Sequence, residues 1–289
     1  MTPIYQFIEE AKSTLTMTMY ELVDERAEQL LGEDAARGVH VRVLLDSALE
    51  NSRNQPAQVY LAAHGVLVDL APASRITHQK TICINGDACL IMTLNLVADD
   101  YRATRDVAIE DTDPADVSAI ETTFASDFSG TNQAVPPTGD HLLWSPGSAA
   151  RIIGLINGAR HTLAVENEEM DSTPITDALV AAARRGVDVD VCMTADPDYV
   201  DALERIMAAG GHVHLYPDHS GVLYIHEKLV LADAGTPLAS AVVGSINFSI
   251  SSLDDNRELD VVLDQHDAPA PLSQLDQAFV SDFAGAPNA

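Results

Sequence analysis

Displaced against itself by 148 positions, this sequence repeats. Ala11-x-x-Thr14-Leu15 falls on Ala159-x-x-Thr162-Leu163, and Glu21 falls on Glu169. Arg37-Gly38-Val39-x-Val41-x-Val43 falls on Arg185-Gly186-Val187-x-Val189-x-Val191, and His78-x-Lys80 on His226-x-Lys228. The offset grows to 152 where Thr93-x-Asn95 meets Ser245-x-Asn247 and Arg105 meets Arg257. It ends at 155 where Phe124-x-x-Asp127-Phe128 meets Phe279-x-x-Asp282-Phe283. Both steps are small loop insertions, the first within 234–240, around Gly235 and Pro237. Whatever architecture one half adopts, the other must adopt as well. Each half holds about 140 residues, an ordinary domain size.

The break between the halves is the polar, Gly/Pro-rich stretch 129–140, SGTNQAVPPTGD, which carries turn and linker chemistry. The expected halves are 1–133 and 134–289. The second opens with Leu142-Leu143-Trp144-Ser145-Pro146, read as an edge strand. The equivalent segment would precede Met1, so the first half is expected to lack that strand. Within the second half, β and α patterns alternate. Helix is expected over 149–159, strand over 161–166, and an Ala-rich helix over 174–185, ended by Gly186. A strand follows over 187–193, where apolar and acidic residues alternate. A helix over 199–209 stops at Gly210-Gly211, and 212–216 is a strand. The apolar runs 225–231 and 241–244 suit central strands, 258–263 is a further strand, and a last helix carries Phe279 and Phe283. The first half repeats this order, with Asp113 and Pro114 in the cap and first-turn positions of its last helix. Strand–helix alternation implies an α/β fold, with a largely parallel or mixed sheet covered on both faces.

Composition narrows the function. Lys and Arg number 16 against 44 Asp and Glu, a formal charge of −28. Such a field repels polyphosphates, so backbone-reading nucleic-acid binding is disfavoured, as is adsorption to anionic lipid. No apolar run reaches the ~18 residues needed to span a bilayer. Three cysteines make no disulfide framework. Cys83 and Cys89 flank an expected hairpin turn at Asn85-Gly86, and two buried free thiols are the favoured reading. The first ten residues lack a basic segment followed by an apolar one. A secreted chain with its leader already removed is favoured over a cytoplasmic one, and a monomer is expected.

The chain has ten His and only three Lys, so chance supplies about 0.1 His-x-Lys pairs. Two occur, at matching repeat positions. If each lies in a strand, i and i+2 share a face, so His78 projects with Lys80 and His226 with Lys228. The same spacing joins Thr93 to Asn95 and Ser245 to Asn247. Each half thus offers an imidazole, an ammonium, a hydroxyl and a carboxamide, a set that suits a phosphoryl group whose equatorial oxygens need fixed donors. The competing reading, a backbone-bonded buried histidine beside a surface lysine, explains one copy more readily than two. His212, His214 and His219 have the spacing of a strand and a turn rather than of a metal-ligand set, so no metal and no other cofactor is expected. Glu21, and Glu166 with Glu168 and Glu169, follow the first strand of each half, where they line a site mouth or form a solvated loop. Tyr224, two residues before His226, lines a pocket or packs.

The second half reads His226-Glu-Lys228-Leu-Val-Leu-Ala-Asp233, then Gly244-Ser245-Ile-Asn247-Phe-Ser249, then Asn256-Arg257-Glu258-Leu. This resembles the phospholipase D superfamily, whose signature is His-x-Lys, four residues, Asp, then Gly-Ser-x-Asn. The resemblance covers essentially the whole chain. It implies two α/β/α sandwich halves related by pseudo-twofold symmetry, with both motifs meeting in one active site at their interface. It also implies metal-independent phosphodiester chemistry through a phosphohistidine. His78, Lys80, His226 and Lys228 would be catalytic. Thr93, Asn95, Ser245, Asn247, Asp233 and Tyr224 would contact substrate. In relatives the acidic residue shortly after the Asn accepts from the motif histidine, so by position Asp106 would hold His78 and Glu258 would hold His226, unless each forms a structural pair with its neighbouring Arg. The first half departs from the pattern. Asn85 stands where the family has Asp, and Met92-Thr93-Leu94-Asn95 where it has Gly-Ser-x-Asn. Asn85 still favours a turn with Gly86.

The expected substrate is a phospholipid, with water or an alcohol as acceptor. A nuclease with the same motifs, or a binding protein with a relict site, is the alternative. In two-motif relatives the first-motif histidine attacks and the second serves as acid and base. The greater completeness of the second motif points the other way.

Overall fold

The computed structural model describes residues 1–131 and 136–289. The expected boundary between 133 and 134 lies outside the described residues. In chain order the first repeat contains α1 (Thr2–Glu9), β1 (Thr14–Met19), β2 (Leu22–Val23), α2 (Glu25–Ala36), β3 (His40–Leu45), α3 (Asn51–Ala63), β4 (Leu67–Leu70), β5 (Thr81–Ile84), β6 (Ala88–Met92), β7 (Leu96–Val97), β8 (Thr104–Arg105), β9 (Ala108–Asp111) and α4 (Pro114–Phe128). The second contains β10 (Leu142–Ser145), α5 (Ala149–Gly158), β11 (Thr162–Glu166), α6 (Thr173–Arg184), β12 (Asp188–Thr194), α7 (Val200–Ala208), β13 (His212–Tyr216), β14 (Tyr224–Ile225), β15 (Leu229–Ala232), β16 (Ser240–Gly244), α8 (Ile250–Asp254), β17 (Glu258–Asp264) and α9 (Pro269–Gly285).

One six-stranded sheet has the order β4-β3-β1-β5-β6-β9, and one seven-stranded sheet the order β10-β17-β16-β15-β11-β12-β13. Removing β10 leaves two sheets with equivalent strand orders. Its edge position is the one the sequence pattern predicted. In both sheets the first strand pairs parallel with the second and antiparallel with the strand that follows His-x-Lys. The sheets are therefore mixed, as the alternating pattern required.

By contact the chain divides into two compact units that are not contiguous in sequence. Unit 1 is 1–102, 108–144 and 256–259, and unit 2 is 103–107, 145–255 and 260–289. A five-residue arm of the first repeat thus belongs to unit 2, and a four-residue arm of the second, together with 142–144 of β10, belongs to unit 1.

Unit 1 is an α/β/α sandwich because its strands alternate. Leu15, Met17, Met19, Val41, Val43 and Leu45 join Ile8, Leu30, Leu31 and Leu61 from α1, α2 and α3 in one core. Leu44, of opposite parity, joins Phe124 of α4 in a second, and the Arg42 guanidinium lies 5.1 Å from the Phe124 ring centroid on that same face. In unit 2, α5 packs on α6 and α6 on α7, while α9 packs against β11, β12 and β15. Local signals stop and start these elements. Asp113 accepts from the Ala115 and Asp116 amides ahead of Pro114, a cap that satisfies otherwise unpaired donors. Gly186 follows α6 at φ +86°, a left-handed conformation that costs glycine little.

Cys83 and Cys89 are not free thiols: they form a disulfide. They face each other in the antiparallel register of β5 and β6, and directly opposed cross-strand positions bring side chains within bonding range. Cys192 is free and buried. Among the described residues no helix is long and apolar enough to cross a membrane.

Candidate active site

In both units the His-x-Lys segment lies just outside regular strand. Residues 226–228 form a break between β14 and β15, and 78–80 precede β5. Thr93 with Asn95, and Ser245 with Asn247, likewise lie in the bends after β6 and β16. The expectation of one continuous strand over 225–231 is therefore corrected. The reason is the exchanged arm, which captures the backbone ahead of the motif and ends its pairing with the main sheet.

In unit 1 the arm is 256–259. The Arg257 amide donates to the Ile76 carbonyl at 2.9 Å, and the Arg257 carbonyl accepts from the His78 and Gln79 amides at 3.0 Å. This register delivers the carboxylate of Glu258 to His78, with Nδ1 and Oε2 2.8 Å apart. Glu258 is fully buried, and its Oε1 accepts from Asn256 Nδ2 at 3.0 Å. A carboxylate on Nδ1 fixes the tautomer, so Nε2 carries the lone pair of the neutral ring. Lys80 is completely buried. Its Nζ donates to the His78 carbonyl at 2.6 Å and sits 5.0 Å from the Tyr20 ring centroid. The Tyr20 ring meets His78 edge-on at 4.7 Å, and its hydroxyl donates to Glu50 at 3.1 Å. Burial first, then Glu50, raises the phenol pKa. Thr93 is buried, and the Asn95 carboxamide oxygen is buried without a hydrogen-bond partner.

Unit 2 repeats the device with the arm 103–107. The Tyr224 amide donates to the Ala103 carbonyl at 2.7 Å, and the His226 amide to the Arg105 carbonyl at 3.2 Å. Asp106 Oδ1 lies 2.7 Å from His226 Nδ1. The buried Lys228 donates to the His226 carbonyl at 2.5 Å. It also pairs with a carboxylate, Glu168 Oε2, at 3.0 Å. The same oxygen accepts from Asn247 Nδ2 at 3.2 Å and lies 3.5 Å from His226 Nε2. Ser245 and Asn247 are buried, and the Asn247 carboxamide oxygen has no hydrogen-bond partner.

The expected carboxylate assignment is thus reversed. Asp106 holds His226 and Glu258 holds His78, because each arm packs in the unit opposite to its own repeat. Each arginine pairs with a carboxylate distant in the chain. Arg257 donates to Asp127 at 2.9 Å in unit 1, and Arg105 pairs with Asp282 in unit 2.

Asp233 is a second correction. Its carboxylate accepts from the amides of Arg160, His161 and Thr162 at 2.6–3.2 Å, and the four residues of β15 separate it from Lys228, so it does not face substrate donors. Asn85 does the same work in unit 1. Its Oδ1 accepts from the Lys12 and Ser13 amides at 2.7 and 3.1 Å, and both residues adopt positive φ, 58° and 53°, which Asn and Asp tolerate. Tyr224 bonds Glu168 Oε1 at 2.9 Å through its hydroxyl.

The other histidines serve elsewhere. His214 Nδ1 bonds the Phe283 carbonyl at 2.5 Å, and exposed His212 lies 3.5 Å from Asp188. Two three-residue groups, Asp113 with Asp116 and His141, and Asp188 with Asp190 and His212, have ligand atoms within 4.8 Å. In the first, Asp116 already accepts from the Asp140 and His141 amides and bonds the His141 ring. Of the acidic residues after the first strands, Glu21 pairs with Arg53. Glu166 is buried with Glu227, the residue between His226 and Lys228. Burial and neighbouring carboxylates push Glu166 well above the usual range. Burial takes Glu227 up to about 8, with Arg105 opposing. The contacts of Glu168 were not anticipated, although the 148-position offset sets it against Tyr20, the residue that covers Lys80.

The profile of the family described as "Cardiolipin synthase, PLD-like domain" matches residues 4–128 and again 152–283. The cardiolipin synthase A of Pseudomonas syringae pv. syringae is 24% identical over 324 aligned positions, which take in 97% of this chain. The chain spans 65% of that relative's length. Among solved structures, the polyphosphate kinase of Porphyromonas gingivalis superposes with a TM-score of 0.63 at 13% identity, over 95% of this chain and 47% of the other. A phospholipase D family member from Salmonella typhimurium, Nuc, aligns over 51% of this chain and 95% of its own, at 19% identity and a TM-score of 0.45.

Proposed function

The chain belongs to the phospholipase D-like family of cardiolipin synthase domains, and on that premise we propose that it is a phosphodiesterase or phosphatidyltransferase acting on phospholipids. The observation that carries this reading is the duplicated imidazole held at Nδ1 by a carboxylate. His78 is held by Glu258 at 2.8 Å and His226 by Asp106 at 2.7 Å, each with a buried lysine two residues on. A phosphodiester needs a nucleophile on one side of phosphorus and an acid on the other, and two such imidazoles supply both.

In the proposed reaction His78 Nε2 attacks phosphorus. The N–P bond forms as the P–O bond to the head-group alcohol breaks, and the His226 imidazolium gives its proton to the departing oxygen. A water or alcohol then loses a proton to neutral His226 as its oxygen attacks phosphorus, the N–P bond breaks, and His78 is regenerated. His226 takes the acid role by analogy with two-motif relatives, in which the second-motif histidine serves as acid and base. Lys80, Lys228, Asn95, Asn247, Thr93 and Ser245 supply donors for the phosphoryl oxygens. The relative's name, cardiolipin synthase, points to a phospholipid alcohol as one acceptor.

The test is incubation with phosphatidylcholine or phosphatidylglycerol vesicles containing added ethanol or glycerol, with a plasmid and an oligonucleotide in parallel. Head-group release with formation of a phosphatidyl-alcohol is expected, because a covalent intermediate partitions between water and alcohol. Strand breaks with no new lipid product would replace this reading with a nuclease.

A further inference from the structure

Glu168 lies where a substrate oxygen would be expected. Its Oε2 takes Lys228 Nζ at 3.0 Å, Asn247 Nδ2 at 3.2 Å and His226 Nε2 at 3.5 Å, and its Oε1 takes the Tyr224 hydroxyl at 2.9 Å. Three of these residues are the second-motif groups whose chemistry suits a phosphoryl oxygen. A carboxylate and a phosphodiester present the same thing to such donors: two acceptor oxygens sharing a negative charge on one centre. The donor set of unit 2 is therefore satisfied by a residue of its own chain.

The repeat shows that this is not required by the fold. Position 20, the equivalent of 168, is Tyr20, and Lys80 beneath it meets an aromatic face at 5.0 Å. An aromatic face stabilises an ammonium through its ring quadrupole. The residue set against the lysine thus differs between the two motifs, an aromatic ring in one and a carboxylate in the other. Accessibility differs as well. The Lys228 side chain is 1% exposed and that of Glu168 24%, so the lysine is fixed while the carboxylate has a path to solvent, where rehydration offsets its lost contacts.

We propose that Glu168 is an internal ligand of the second motif, which a phosphoryl group must displace before Lys228, Asn247 and His226 Nε2 can engage it. The inference rests on the phosphodiester reading of the motif. It adds a built-in competitor that weakens binding of phosphate-bearing ligands, and of a doubly charged phosphomonoester product in particular. Displacement also frees the His226 Nε2 proton to face a leaving oxygen.

The probe is inorganic phosphate, titrated into the full chain by calorimetry or by its ³¹P signal, with Lys228→Met reporting which binding involves the second motif. Glu168→Gln keeps the shape and removes the charge that Lys228 pairs with. Its phosphate affinity should rise by about tenfold or more, the scale of one charge-assisted hydrogen bond, and Glu168→Asp should show a smaller rise. Unchanged or weaker binding in both variants, or no binding by any form, would overturn the proposal. It would leave Glu168 as a structural partner of Lys228, whose removal costs thermal stability alone. Should neither variant fold, crystals of the native protein grown with phosphate decide. Phosphate on Lys228 with Glu168 turned away supports displacement, and phosphate on Lys228 with Glu168 still bonded to Nζ sinks it. Because phosphate binding is read without turnover, failure of the native protein to cleave any diester would count against the proposed function and not against this one.

Discussion

His78 and Glu258 are 180 positions apart in the chain and 2.8 Å apart in space. Such an orienting carboxylate acts through the imidazole it holds, so its loss should perturb one histidine and spare the other. Glu258→Gln is expected to shift the ¹⁵N resonances of the His78 ring and leave those of His226 in place, with Asp106→Asn doing the reverse. Each should lower kcat/KM by about a hundredfold or more, the usual scale for removing the group that positions a catalytic base. If Glu258→Gln moves the His226 resonances instead, the partners are those that sequence position alone suggested. At this scale the repeat exposed the histidines, lysines, hydroxyls and carboxamides, because each recurs at a fixed offset. The partner of each histidine was hidden, since an offset aligns residues and says nothing of which copy of a segment packs where. The same offset did contain the Tyr20–Glu168 contrast, which needed Lys80 and Lys228 in place to acquire meaning.

At the scale of elements, the exchanged arms are secured by buried ion pairs of unequal exposure. The Arg257 side chain is 0% exposed and pairs with Asp127 at 6%, while Arg105 is 33% exposed beside Asp282 at 3%. Breaking a buried pair costs about 3–5 kcal/mol where it leaves a charge uncompensated, a loss that the longer contact of Arg75 with Asp127 at 3.8 Å offsets in part, whereas water reaches a partly exposed pair and reduces the loss further. Asp127 is already pushed up by burial, with Arg257 opposing. Arg257→Met should therefore lower Tm by on the order of 10 °C, and Arg105→Met by clearly less, as measured by calorimetry at neutral pH. Equal losses would mean that the arms are held by their backbone pairing rather than by these guanidinium groups. Most helix and strand positions were legible from periodicity and from Gly and Pro, and 212–216 matches β13 in full. The stretch 225–231 was not. Its apolar run fits one strand, yet the arm pairs with Tyr224 and Ile225, and the chain turns out of the sheet at His226 before β15 begins.

For the whole molecule, acidic groups with raised pKa values accumulate in one direction. Burial, the largest cause in each case, takes Glu227 up to about 8, Glu28 to about 7, and Asp34 and Asp111 to about 6. Glu166, Glu21 and Asp190 are raised as well, again by burial first. A carboxyl whose folded pKa lies above its unfolded value binds its proton more tightly when folded. Its contribution is present below the unfolded value and is lost as pH climbs through the folded one. His141, raised chiefly by its bond to Asp116, has the same sign, since its charged form belongs to the folded state. Deprotonating these carboxyls also adds to a formal charge of −28, whose self-repulsion opposes compactness. Stability should therefore decline between about pH 5 and pH 8, rather than peak near neutrality as is common. Urea midpoints taken across that range test this, with ionic strength held constant. Glu227 is buried and has the highest of these values, so Glu227→Gln should flatten the upper part of the curve, between about pH 6.5 and 8. Added salt at pH 8 should recover the part owed to long-range repulsion and leave the buried pair unaffected. A midpoint that rises from pH 5 to 8, in the native protein and in Glu227→Gln alike, would mean that carboxylates stabilised in the folded state outweigh the buried acids.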